Sequence, residues 1–151
     1  MHNPDWEKPM DPDAPLPFEL DRWVDLAPFE RTLGIRIESS GEGEAVLTMP
    51  FTVKLAQGKG LLHGGAITTL ADTAAAMAIK TLLPEDTHFA TVEMTTRLLA
   101  PVRGGTVTAR ANAELDEEKE RTYRAEVFVI GEDEAVVAEF WSEYKVAKNQ
   151  R

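Results

Sequence analysis

The chain has no cysteine. That excludes a disulfide framework and a thiol nucleophile, and it fits a reducing cytoplasm as the expected location. Basic residues are scarce: 16 Lys and Arg stand against 26 Asp and Glu, for a net charge of −10. So acidic a chain has no broad attraction for nucleic acid or an anionic membrane, and neither is expected as a partner. Long hydrophobic runs are missing too. The longest candidate, residues 66–83, is interrupted by Asp72 and Lys80, so no membrane span is expected. The first residues lack a basic start followed by an apolar block, and no signal peptide is expected. His2, His63 and His88 lack metal-ligand spacing, so no metal site is expected. No G-x-S-x-G is present for a serine nucleophile. Trp6, Trp23 and Trp141 form no pattern that would stack on bases. Gly58-Lys59-Gly60 lacks the final glycine and the βαβ setting of a dinucleotide loop.

What is present suits one core. The 151 residues are 43% hydrophobic, enough for a single domain. Residues 1–17 hold five prolines and several acids, which block helix interiors and predict a flexible, extended arm. The domain is then expected over 18–151. Residues 18–31 place Leu20, Trp23, Val24, Leu26 and Phe29 at helical spacing, predicting a short amphipathic helix with Pro28 as a break and Gly34 as its end. Strands are predicted from Ile35 and over 44–53, with Ser39-Ser40-Gly41 as the turn between them. Residues 54–61 read as a loop.

Residues 64–83 form the one long predicted helix. It is apolar almost all round, which predicts burial on all sides. Pro84 stops it. Further strands follow over 89–99, 106–115, 123–130 and 135–146. In 106–115, Val107, Ala109, Ala111, Ala113 and Leu115 alternate with Thr106, Thr108, Arg110, Asn112 and Glu114. Short connections make such neighbours antiparallel. Strands, one central helix and more antiparallel strands make an α+β layout in which a curved sheet wraps the helix.

Asp72 is the only acid in that helix. A buried carboxylate has to be paired, protonated or turned toward a cavity. It is therefore either a core acid bonded to a neighbour or a base or nucleophile in a pocket. At the helix start, His63-Gly64-Gly65 is either a plain glycine-rich turn or an oxyanion site. Backbone N–H groups left open there, reinforced by the helix dipole, suit the charge that develops in acyl transfer. Gly64 and Asp72 are eight residues apart, roughly 12 Å along one helix. Reacting atoms have to meet at about 3 Å. One helix cannot bring both groups to one site, but two antiparallel copies can. The spacing thus predicts at least a homodimer.

His63-Gly64-Gly65-Ala66 with Leu70 and Asp72, then Thr91-Val92-Glu93-Met94, Leu99-Ala100-Pro101 and Gly104-Gly105, resembles the pattern of hotdog-fold acyl-CoA thioesterases, the PaaI-like (phenylacetate-pathway) type in particular. The resemblance covers roughly residues 33–147. It implies a curved antiparallel sheet around one long helix and hydrolysis of an acyl-CoA thioester to free acid and CoA. It implies no required cofactor beyond the coenzyme A of the substrate, and self-association as a homodimer or homotetramer. By position, Gly64 would donate its N–H to the thioester oxygen, with Gly65 beside it. His63 would orient the substrate or support the turn. Asp72 would act as nucleophile or general base, and Thr91 would help place water. Where many relatives carry asparagine, this chain has Gln57, which offers the same amide groups on a longer stem. For the CoA nucleotide, Arg103 beside Gly104, with Arg121 and Arg124, are either phosphate ligands or solvent-exposed strand charges; Lys54 and Lys59 are further candidates. Two other readings share the fold. One is a non-catalytic acyl-CoA binding or sensor protein. The other is a hydratase or dehydratase, for which His63 is the only histidine in place.

Overall fold

A computed structural model of the protein describes residues 4–148. The elements are helix α1 (Pro28–Thr32), strands β1 (Arg36–Gly41) and β2 (Glu44–Pro50), helix α2 (Gly64–Lys80), and strands β3 (Phe89–Leu98), β4 (Thr106–Leu115), β5 (Thr122–Ile130) and β6 (Val136–Val146). The six strands make one antiparallel sheet in the order β1-β2-β4-β5-β6-β3, and α2 lies against it. This is the hotdog arrangement that the resemblance implies. Among the described residues no helix is long and apolar enough to cross a membrane.

The alternation in the strands decides which face meets the helix. Ala45, Leu47 and Met49 of β2, Val107, Ala109 and Ala111 of β4, Ala125, Val127 and Val129 of β5, and Ala138 and Phe140 of β6 are all buried. Residues between them on β4 and β5, such as Arg110, Asn112, Arg124 and Glu126, are exposed. The small residues of β4 and of α2 let helix and sheet approach closely. Each larger side chain sealed there contributes about 1.5–3 kcal/mol.

Four expectations about single elements need correction. Residues 18–27 are not helical; helix begins only at Pro28. The Asp25 carboxylate accepts hydrogen bonds from the Asp21 and Leu26 N–H groups, a side-chain alternative that competes with a helical turn. Pro28 sits in the first turn, where its missing donor costs nothing. The β1–β2 turn lies at Glu42 and Gly43, both at positive φ, so Ser39 and Ser40 belong to β1. Helix α2 ends at Lys80, before Leu83: Thr81 Oγ1 donates to the Ala78 carbonyl, and Trp23 Nε1 donates to the Lys80 carbonyl. Nor is α2 buried on every side. Thr69, Asp72, Ala76 and Lys80, three or four residues apart, form a half-buried stripe.

Hairpin pairing holds for β1–β2, β4–β5 and β5–β6, but consecutive β3 and β4 are not partners. β3 pairs with β6 at the far edge. The linking segment crosses the start of α2, where the Leu62 N–H donates to the Val102 carbonyl. Residues 4–17 hold a 3-10 turn at Pro4–Glu7 and a turn closed by Ala14 N–H to Asp11 O.

Candidate active site

The start of α2 is built by its own sequence. His63 is the N-cap, in extended backbone conformation, and its Nδ1 accepts the Gly65 N–H at 2.8 Å. An imidazole that accepts at Nδ1 carries its proton on Nε2. The His63 carbonyl accepts the Ala66 and Ile67 N–H groups. Of the two glycine donors that looked open from sequence, Gly65 is therefore taken. The Gly64 N–H has no acceptor among the described residues. A Cβ on Gly64 would stand 2.7 Å from Leu98 Cδ1, so glycine keeps this approach clear. Gly64 lines a cavity of about 310 Å³ with Gln57, Leu61, Ile67, Leu98 and Pro101 among its walls. Gln57 turns its Oε1 back onto its own loop, accepting the Lys59 and Leu61 N–H groups. Its amide nitrogen has no acceptor among the described residues.

Asp72 lies two turns along α2 on the half-buried stripe. Thr91 Oγ1 donates to its Oδ1 at 3.0 Å. The Tyr144 hydroxyl donates to the same oxygen at 2.8 Å and lies 3.0 Å from the Asp72 carbonyl oxygen. No cation pairs with Asp72 among the described residues. Both donors converge on Oδ1, and Oδ2 carries no hydrogen bond from the described residues. Burial, and then the carboxylate beside it, push the Tyr144 phenol well above its ordinary pKa, so it stays a donor. The carboxylate is thus oriented with no cation against it, and one of its oxygens is left open among the described residues.

The proposed phosphate ligands do not form one patch in a single chain. Arg103 precedes β4, whereas Arg121 and Arg124 follow its far end, roughly 30 Å away for ten extended residues. Arg103 and Gly104 are exposed. Arg124 pairs with Glu114 at 3.2 Å and Asp116 at 3.7 Å. Arg121 donates to the Val146 carbonyl, and its Nε is buried without a partner. Among the described residues no group of three or more His, Asp or Glu side chains could hold a metal ion.

The model of the thioesterase superfamily matches residues 59–137, just over half of the chain. The chain belongs to the thioesterase superfamily. A 1,4-dihydroxy-2-naphthoyl-CoA hydrolase of Listeria monocytogenes is 39% identical over 85 residues, 56% of this chain and 68% of that protein. A putative esterase of Halobacterium salinarum is 36% identical over 77 residues, 48% of this chain and 51% of that protein; the chain spans about half the length of the first curated relatives it matches. Among solved structures, the E. coli PaaI protein of the phenylacetic acid degradation operon superposes with a TM-score of 0.71 at 28% identity, over 80% of this chain and 85% of that one. Within this thioesterase domain the family match takes in Gly64, Asp72 and Thr91 but stops short of Gln57 and Tyr144. Tyr144 is the site residue that the sequence reading missed. The sequence held only part of the signal: Phe140, Ser142 and Tyr144 share the inward face of one alternating strand, but that Tyr144 pairs with Thr91 across β3 and β6 appears only in the structure.

Proposed function

We propose that this chain hydrolyses an acyl-CoA thioester to a free acid and CoA, in a site shared between two antiparallel copies. The observation that carries the reading is the pair of groups on α2: a carboxylate with one oxygen tethered and one free, and a helix-start N–H with no acceptor. Gly64 and Asp72 are about 12 Å apart on that helix, so Gly64 of one copy would serve Asp72 of the other. The half-buried stripe of Thr69, Asp72 and Ala76 is small-sided enough for a second helix to lie against it. The antiparallel pair would also bring Arg103 of one copy toward the end where the other carries Arg121 and Arg124. Arg103, exposed and without an ion-pair partner among the described residues, is then the first candidate for a CoA phosphate. Pairing of two dimers would give the tetramer.

The Gly64 N–H receives the carbonyl oxygen as it becomes an oxyanion. Asp72 has two routes. As general base, Oδ2 takes a proton from water while the water oxygen bonds to the carbonyl carbon; the C–S bond then breaks and the CoA thiolate regains that proton. As nucleophile, Oδ2 bonds to the carbon and expels the thiolate, which is protonated from solvent; water then cleaves the anhydride. Gln57 offers its free amide N–H groups at the oxyanion end. An aromatic acyl group, as on the substrate named for the Listeria relative, belongs in the first panel tested.

The test is free-thiol release from short, medium, long and aromatic acyl-CoA esters. Wild type should turn over at least one ester. Asp72→Asn should lose about 10²- to 10⁴-fold in kcat while staying folded by circular dichroism. Near-wild-type rates in Asp72→Asn would remove the carboxylate from the chemistry. Tight binding of esters without turnover would instead make the protein an acyl-CoA sensor.

A further inference from the structure

We infer that Tyr144 is a positioning residue that selects Oδ2 of Asp72 as the reacting atom. The inference rests on the reading of Asp72 given above. Tyr144 is only 1% exposed, so its hydroxyl cannot touch substrate and can act only through what it holds. Its one O–H proton is directed to the carboxylate Oδ1, while the main-chain oxygen of Asp72 lies 3.0 Å from the same hydroxyl. That ties the carboxylate to one side of its own helical turn. Thr91 donates to the same Oδ1. A carboxylate with both donors on one oxygen presents the other outward in one orientation, and orientation of a reacting atom is worth large factors in rate.

The phenol is itself held. Phe89 packs on its ring, with centroids 5.9 Å apart, and the Trp23 ring meets Phe89 edge-on at 6.4 Å. Trp23 in turn is tied to the end of α2: its Nε1 donates to the Lys80 carbonyl, and Lys80 Nζ donates back to the Trp23 carbonyl. Three aromatic rings thus run from the segment before α1 to the carboxylate. Ser142, two residues before Tyr144 on the same face, has its Oγ buried and lies near enough to the phenol to favour its ionised form slightly, against the larger effect of burial. Trp23 and Tyr144 both lie outside the region that the family model matches. Asp72, Phe89 and Thr91 lie inside it, so the device joins the matched region to both flanks.

Tyr144→Phe keeps the ring and removes only the hydroxyl. With the best ester, kcat should fall roughly tenfold to a hundredfold while KM stays within about twofold. Tyr144→Phe with Thr91→Val should lose more than the product of the two single losses, because either donor alone still steadies Oδ1. Phe89→Leu keeps the phenol but removes the ring behind it; it gives a second reading if Tyr144→Phe does not fold, with kcat down roughly threefold to tenfold at unchanged KM. An unchanged kcat in either variant, with Asp72→Asn inactive in parallel, overturns the positioning role and leaves the active-site reading standing. An active Asp72→Asn overturns the active-site reading itself. A change confined to KM or to melting temperature assigns Tyr144 to packing and also overturns the inference.

Discussion

Strands β3 and β4 are both ten residues long and follow each other in the chain, yet they live in different surroundings. β4 lies between β2 and β5. Its Val107, Ala109 and Ala111 are sealed against α2, and its polar residues face out. β3 is an edge strand, with no fully buried residue along its length. Met94 and Leu98 pair with the inward-facing Ser142 and Ala138 of β6 and so point to the helix side, but they are 47% and 57% exposed. Val92, at the bulge between Thr91 and Glu93, is 54% exposed. A long edge strand with apolar side chains in water is a liability that natural proteins cover or pair. β4 finds its cover within the chain. β3 carries the same kind of inward residues and has no cover of its own, which is what a strand completed by a second copy would look like.

Substitutions that treat the two strands alike can break this contrast. Val107→Asp places a charge at a site with 0% exposure. The cost should exceed about 4 kcal/mol, and the expected outcome is loss of the cooperative melting transition. Met94→Lys places a charge on the equivalent face of β3. The isolated fold should lose under about 1 kcal/mol, but sedimentation should show monomers, and thiol release should drop by at least about a hundredfold because neither half-site is complete. A dimeric, active Met94→Lys protein would mean that the β3 face is not the interface. Equal loss of fold in both variants would mean that β3 is covered from within the chain.

The same contrast explains what could be read from the sequence. The strands that bury one face locally were legible, because alternation records the neighbour directly: β4 and β5 are the clearest cases. Helix α2 and the need of Asp72 for a partner were legible too, since an acid in an apolar helix requires one; that Thr91 donates to it was not, because the sequence reading gave Thr91 only a role in placing water. The helical spacing over 18–31 misled because Asp21 and Asp25 stand within it, and the bond that Asp25 makes to the Asp21 N–H is invisible to periodicity. The crossing of β3 to β6 was not legible, since pairing depends on where the 99–105 segment crosses α2 and not on strand pattern. Tyr144 stayed hidden because its role depends on that crossing: only with β3 beside β6 do Thr91 and Tyr144 reach one carboxylate. Arg121 and Arg124 were grouped with Arg103 by charge alone, although the predicted strand over 106–115 already stood between them.

The smallest expected signal is also the most specific to a site built from two copies. Gly64 is the first residue of α2 and follows His63, whose backbone is extended at ψ 132°. Proline is favoured at that helix position, and the residue before it is required to be extended. Gly64→Pro should therefore remove the one open N–H with little harm to the helix, provided that the Leu98 side-chain tip, 2.7 Å from the position of a Cβ, swings aside. Alone, it should cost about 10²- to 10³-fold in kcat, as loss of an oxyanion donor does. Mixed and re-equilibrated with an equal amount of Asp72→Ala, about half of the dimers become hybrids, each with one site that combines the intact Gly64 of one chain and the intact Asp72 of the other. Activity should recover to roughly a quarter of wild type by that count. If subunit exchange is demonstrated by mass and no activity returns, Gly64 and Asp72 do not meet across the interface. The exposed face of β3 would then have to be covered by something other than a second helix α2.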